Sequence, residues 1–333
     1  MLLRVERYVR NINEDLREHA HEVSTALKEL HKDEARSYQE LKRISKEQRD
    51  CGRDIDKTTR EIKATVDMQE RRRILDWLTP VNYASQQNDF FNRRQVGTGS
   101  WLLESSEYRQ WFATKGTTLF CQGNPGAGKT MLTSIVVNNI ISAFHGSKSG
   151  LAYIYCNFRR QNEQKPGHLI ASMLRQLAEN QSSLPRSVKD LYSHHVSKRS
   201  RPEIHQLLTV LFSTALDLPR VFIVVDALDE CASGGDCRDR LMAELFRLQN
   251  QSQVNLFVTS RFVPNIRDMF ATCNSLEIRA TNDDLHHYLD GQMYRMPKFV
   301  GRNPKLQEEI RTKIVAAVDG MYVTIPPATL RLN

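Results

Sequence analysis

The first seventy residues contain no proline and no tryptophan. Without proline nothing there must break a helix, and without tryptophan the stretch lacks the largest core-filling side chain. No run of 18 apolar residues occurs anywhere in the 333, which leaves no sequence for an ordinary membrane-spanning helix. The opening Met1-Leu-Leu-Arg-Val-Glu-Arg7 is too charged for a secretory signal, so the expectation is a soluble, cytoplasmic protein. The six cysteines, at 51, 121, 156, 231, 237 and 273, form no Cys-x-x-Cys pair, and the gap from Cys231 to Cys237 matches no common zinc spacing. Reduced, mostly buried thiols are expected. The net charge is +8, yet its clusters at Arg71–Arg73, Arg93-Arg94 and Lys198–Arg201 have no interleaved aromatics. They read as solvated surface, and no nucleic acid is expected among the partners. No repeat of 20 to 50 residues is visible.

What the chain does contain is Gly123-Asn124-Pro125-Gly126-Ala127-Gly128-Lys129-Thr130, a complete phosphate-binding loop, followed by Met131. Gly123, Gly126 and Gly128 have no side chains to keep the backbone N–H groups from a polyphosphate. Lys129 supplies a mobile cation for the β- and γ-phosphates, and the Thr130 hydroxyl is suited to ligate Mg²⁺. The flanks agree. Residues 117–122 read as a short buried strand and residues 131–144 as a buried helix whose N-terminus faces the phosphates.

One hundred residues on, Val221-Phe-Ile-Val-Val-Asp226 reads as a central parallel strand with an aspartate at its carboxyl end. Asp226 is the candidate Mg²⁺ carboxylate, acting directly or through bound water. Asp229 and Glu230 follow; a carboxylate there can orient or deprotonate the water attacking a γ-phosphate, Glu230 being the better candidate. Both also fit a solvated loop or a helix N-cap. A third strand, 255–261, ends in Thr259-Ser260-Arg261, where Arg261 is either a γ-phosphate sensor or a plain surface arginine. No Asn-Lys-x-Asp follows any strand, which favours ATP/ADP over guanine nucleotides.

At these residues the chain resembles the NACHT module of fungal NOD-like receptors, members of the STAND class of signalling ATPases. The resemblance rests on the loop 123–130, the Asp226-Ala-Leu-Asp-Glu-Cys231 strand end and the Thr-Ser-Arg strand. The approach is also similar, through Arg72-Arg-Ile-Leu-Asp-Trp-Leu78, Gly97-Thr-Gly-Ser-Trp-Leu-Leu103 and Tyr108-Arg-Gln-Trp111. It spans roughly residues 71–320 and implies a P-loop NTPase that is closed with ADP and self-associates after exchange for ATP, in an innate-immunity or incompatibility-type pathway. It assigns Mg²⁺ to Asp226, hydrolysis to Asp229 and Glu230, and the sensor role to Arg261. The same resemblance implies a winged helix and a repeat array after residue 320. Instead Asp319-Gly-Met-Tyr322 gives way to Val323–Asn333 with Pro326 and Pro327, which end any helix. The expectation is a truncated product or a short form without its sensor.

The expected fold class is α/β: a mostly parallel sheet flanked by helices, preceded by a long helical or coiled-coil segment and followed by a small helical subdomain. The expected divisions are 1–73 helix, 74–116 irregular approach with one helix ending near Phe112, 117–281 NTPase core, 282–322 helical subdomain and 323–333 irregular tail. Residues 1–73 hold 18 Lys/Arg against 16 Asp/Glu. Heptad spacing puts Leu2, Val9, Leu16, Val23, Leu30 and Ile44 in one row and Ala20, Leu27, Leu41, Ile55 and Ile62 in another, interrupted by Glu34, Ser37, Gln48 and Thr58. A coiled coil, a small bundle and a single solvated helix all remain open. The functional expectation is a switch that binds ATP/ADP with Mg²⁺, hydrolyses ATP slowly and self-associates through the helix and the NTPase module. The alternative is a coiled-coil scaffold that binds nucleotide without hydrolysis. A mechanical ATPase of AAA type lacks support, because no arginine finger can be assigned.

Overall fold

The computed structural model describes residues 2–231, 237–293, 296 and 298–318. The expected end of the helical subdomain, 319–322, and the tail 323–333 lie outside them. The chain divides into two compact units, one up to Glu70 and one from Arg71 onward. The first is formed by helix α1, Leu2–Leu78, whose side chains described up to Glu70 are all exposed. Its helical state rests on good helix formers and on local pairs such as Arg43–Glu47 at 3.0 Å, each contributing about 0.2–0.5 kcal/mol.

The second unit begins with the last turns of α1, where Ile74, Leu75 and Leu78 are buried. Arg71 donates to the carbonyls of Glu179 and Gln181, both at 2.6 Å, and to those of Ala178 and Ser182. It satisfies acceptors that the C-terminus of α6 (Pro166–Glu179) leaves open, so this arginine is not a solvated one. The irregular approach expected over 74–116 is mostly helical: α2 Ala84–Arg93, α3 Ser100–Glu104 and α4 Ser106–Ala113. The Asn/Gln content hid α2, in which Gln87 is buried and donates to the Ser134 carbonyl at 2.9 Å. A local cap starts α4, where Ser105 Oγ accepts from the Tyr108 N–H at 3.2 Å.

Five strands follow: β1 Thr118–Gln122, β2 Gly150–Tyr155, β3 Val221–Asp226, β4 Asn255–Ser260 and β5 Asn274–Glu277. They form one parallel sheet in the order β2-β3-β4-β1-β5. The crossovers carry α5 Lys129–Ala143, then α6, α7 Arg186–Ser197 and α8 Ile204–Leu216, then α9 Cys237–Ser252, and finally α10 Pro264–Met269. Helices α7 and α10 were not expected from the sequence. The core explains the strand sequences: Phe120, Ile223, Val225, Leu256 and Val258 point to one face and Leu119, Cys121, Phe222, Val224 and Phe257 to the other. This alternation, apolar on both faces, requires helices on each side of the sheet. The fold is a P-loop NTPase fold, as expected.

After β5, α11 Asn282–Gln292, α12 Lys298–Gly301 and α13 Pro304–Val318 form the small helical subdomain. Ala280 and Leu285 pack with Ile314 and Val315, and Arg311 pairs with Asp290 at 2.7 Å. Among the described residues, no helix is long and apolar enough to cross a membrane.

Trp111 of α4 is fully buried against Phe222 and Phe257, with ring centroids 5.6 and 5.7 Å away. Trp111→Ala should lower unfolding free energy by about 3–5 kcal/mol through lost transfer energy and a residual cavity. A urea titration followed by circular dichroism, with an unchanged midpoint, would refute this placement of α4.

Candidate functional site

Three strand ends converge at the carboxyl edge of the sheet. β1 runs into the loop 123–128, β3 ends at Asp226, and β4, lying between them, ends just before Arg261. Chain order reverses around β1, and in open α/β sheets ligands collect at such a switch point.

The loop demands its glycines. Gly126 and Gly128 have φ of +79° and +85°, where side chains are strained, and a Cβ on Gly123 would lie 2.6 Å from the Ile278 carbonyl oxygen. Ala127 is buried, while Asn124 and Pro125 are exposed. The N–H of Ala127 donates to the Asn124 carbonyl at 3.1 Å and closes the turn. Helix α5 then starts at Lys129 with Gly128 as its N-cap, and no side chain caps it. The first-turn N–H groups of Lys129, Thr130 and Met131 therefore have no acceptor within the helix, and the positive end of its dipole opens on the loop. That arrangement fits a polyphosphate. Lys129 is buried, and its Nζ donates to the Gly123 and Asn124 carbonyls at 2.8 and 2.9 Å. Burial lowers its pKa, opposed by the charges of Asp229 and Asp226.

Asp226 is 1% exposed and ringed by threonines. Thr130 Oγ1 donates to its Oδ2 at 2.7 Å; the Thr133 and Thr259 hydroxyls lie 2.8 and 2.7 Å from its Oδ1. Burial pushes the Asp226 carboxyl upward, and hydrogen bonds from Thr130, Thr259 and Thr133, with the charge of Lys129, pull it back. The pair Thr130 Oγ1 and Asp226 Oδ2 suits a magnesium site. Both are hard oxygen donors of the kind Mg²⁺ takes, and a metal there would be held by these two residues.

Past Asp226 the chain turns sharply. Ala227 has φ +52° and ψ +51°, a left-handed conformation that costs a non-glycine residue roughly 1–2 kcal/mol. Its N–H donates to Thr259 Oγ1 at 2.9 Å, tying the turn to β4. The turn leads into a short 3₁₀ helix, Leu228–Glu230, and brings Asp229 and Glu230 to face Arg261. Arg261 Nε lies 3.0 Å from Asp229 Oδ2, its backbone N–H donates to Asp229 Oδ1 at 3.0 Å, and its guanidinium donates to Glu230 at 2.6 Å. Both carboxylates are thus ion-paired to Arg261, whose side chain remains 44% exposed.

A cavity of about 670 Å³ unites these groups: Gly126, Gly128, Lys129, Thr130, Met131, Asp229, Glu230 and Arg261 all line it. The lining also includes Arg93, Arg94, Gln95 and Thr98 of the approach and Tyr288 and Gln292 of α11. The expected solvated cluster Arg93-Arg94 is thus part of the cavity lining. Gly99, also lining, donates its N–H to both oxygens of the buried Asp284 of α11, each at 3.1 Å. Sequence reading missed Thr133, Thr259, Asp284 and Tyr288. Two of them left a signal: Thr133 lies one helical turn beyond Lys129 and Thr130 on the face that carries them, and Thr259 stands in the polar Thr-Ser-Arg end of its strand, with no role assigned to it. Among the described residues, no group of three or more His, Cys, Asp or Glu forms a metal cluster.

No curated protein matches the chain. Among solved structures, it is similar to the Walker-type ATPase PABY2304 of Pyrococcus abyssi, at 13% identity and TM-score 0.45, covering 66% of this chain and 63% of that one. It is similar to the ORC1 protein of Aeropyrum pernix, solved in complex with DNA, at 15% identity and TM-score 0.40, covering 74% and 64%. It is similar to Cdc6p of Pyrobaculum aerophilum at 15% identity and TM-score 0.38, covering 63% and 52%. The chain thus spans less than two thirds of the length of each of these proteins. Residues 97–261, just under half of the chain, match the family model described as Nephrocystin 3, N-terminal, a span that opens at the Gly97 turn of the cavity wall and closes at Arg261.

Proposed function

We propose that this protein is a nucleotide-controlled switch: it binds ATP or ADP with Mg²⁺ at the loop of β1, hydrolyses ATP slowly, and changes its self-association with the nucleotide held. The observation that carries the reading is the convergence of loop, Thr130, Asp229, Glu230 and Arg261 on one cavity, with the buried Asp226 directly behind Thr130. The loop and the α5 N-terminus would hold the phosphates, with Lys129 on the β- and γ-oxygens. Thr130 and Asp226 would hold the metal, which when bound neutralises charge on the β- and γ-phosphates. Glu230 would orient and deprotonate the attacking water, Asp229 would keep Arg261 in place, and Arg261 would meet the charge developing on the γ-phosphate. The finer reading, a NACHT-type signalling module, is supported by the sequence motifs around these residues. The exposed apolar rows of α1 support self-association through the helix.

One observation favours a second reading, a scaffold that binds nucleotide without turnover. Arg261 engages both acidic side chains, so Glu230 must exchange that partner for water before it can act.

Lys129→Ala should abolish ATP and ADP binding in calorimetry while leaving the circular dichroism spectrum unchanged; undiminished affinity would remove the site assignment. Glu230→Gln should keep nucleotide affinity and slow single-turnover hydrolysis by about 10²–10⁴-fold, the usual share of a general base. Should the unaltered protein hold ATP uncleaved, the scaffold reading stands in place of the enzyme. Leu27→Asp with Leu41→Asp, both exposed on α1, should yield monomers in light scattering with nucleotide affinity intact. Retained oligomers would disconnect the helix from assembly.

A further inference from the structure

Up to Glu70, α1 carries a narrow apolar stripe that no other part of its unit covers. One row runs through Leu16, Val23, Leu30 and Ile44, the other through Leu27, Leu41, Ile55 and Ile62, all exposed. A two-row stripe at heptad spacing is the width of a two-helix seam and too narrow for a helix lying on a larger core. Its borders differ sharply in charge. Residues just before the second row are acidic in five successive heptads: Asp33, Glu40, Glu47, Asp54 and Glu61. Residues just after the first row, His31, Tyr38, Ser45, Gly52 and Thr59, carry no carboxylate. Cys51, exposed, falls on the seam itself, one heptad beyond Ile44.

We propose that α1 pairs with α1 of a second copy of this chain, the two helices parallel and in register, so that Cys51 meets its counterpart across the seam. The proposal rests on the self-association reading above and adds the partner, orientation and register. Charge decides the orientation. In a parallel pair the acidic border of each helix faces the carboxylate-free border of the other, whereas an antiparallel pair centred on this region brings the two acidic borders together. Asp33 and Glu47 have arginine partners on their own helix, Arg36 at 3.3 Å and Arg43 at 3.0 Å, so Glu40, Asp54 and Glu61 carry most of the bias. Gln48, a seam residue, fixes the register: its amide both donates and accepts, and meets an equal partner only when the helices are unshifted. Glu34 also faces its counterpart and is the weakest step of the seam.

The test is site-specific cross-linking of the full chain with a short bis-maleimide, alongside sedimentation to measure the oligomer. A covalent dimer should form through Cys51 and be lost in Cys51→Ser. In the Cys51→Ser background, Ile44→Cys and Thr58→Cys, one heptad to either side in the same row, should each restore it. In an antiparallel pair only the residue at the crossing point meets its own copy, so cross-linking at no more than one of the three positions in a dimeric sample overturns the orientation and leaves self-association standing. Cross-linking that survives Cys51→Ser overturns the seam assignment. A monomer at every concentration overturns the proposal and the self-association reading together, while unaltered nucleotide binding would leave the cavity assignment in place.

Discussion

A single buried carboxylate organises the second unit. Asp226 lies in the protein interior at the end of β3, where an unpaired charge would cost several kcal/mol, and three threonine hydroxyls make its burial tolerable. Those hydroxyls come from the first turn of α5, from the next turn of the same helix and from β4. Satisfying one side chain thus fixes the helix after the loop against two strands at once. Because the three bonds set the position of α5, they also set where its uncapped N-terminus opens, and with it the loop 123–128.

The same economy governs the strand beside it. Thr259 accepts the N–H of Ala227 while donating to Asp226, so the left-handed turn after β3 is braced by the residue that helps bury the carboxylate. Arg261, two residues further along, receives Asp229 and Glu230 as the turn delivers them. Alanine at 227 is the smallest residue that still carries a Cβ, and the backbone strain there is held by neighbours on both sides.

The site was legible where local chemistry constrains the residue type. The loop glycines, Lys129, Thr130 and Asp226 announce themselves because their backbone angles or charges leave few alternatives. The inner strands β3 and β4 are visible because both faces of the sheet are buried there, so each reads as a largely apolar run, whereas the exposed edge strand β5, Asn-Ser-Leu-Glu, carries no such signal. What the sequence concealed depends on distant partners. Nothing local marks Asp284 as the acceptor for an amide 185 residues away, or Arg93 and Arg94 as residues that also border a cavity. Helix α2 escaped notice because its buried face is built around Gln87, a polar residue whose amide is matched by Ser134 and Tyr155. The long helix posed the opposite problem: its periodicity is plain, but periodicity does not reveal what lies across the seam.

The bond from Gly99 to Asp284 joins the approach segment to α11, and residues of both segments line the cavity. The outline of the space in front of the loop is thus shared between two stretches far apart in sequence, and a buried side chain that does not itself line the cavity helps to set its shape.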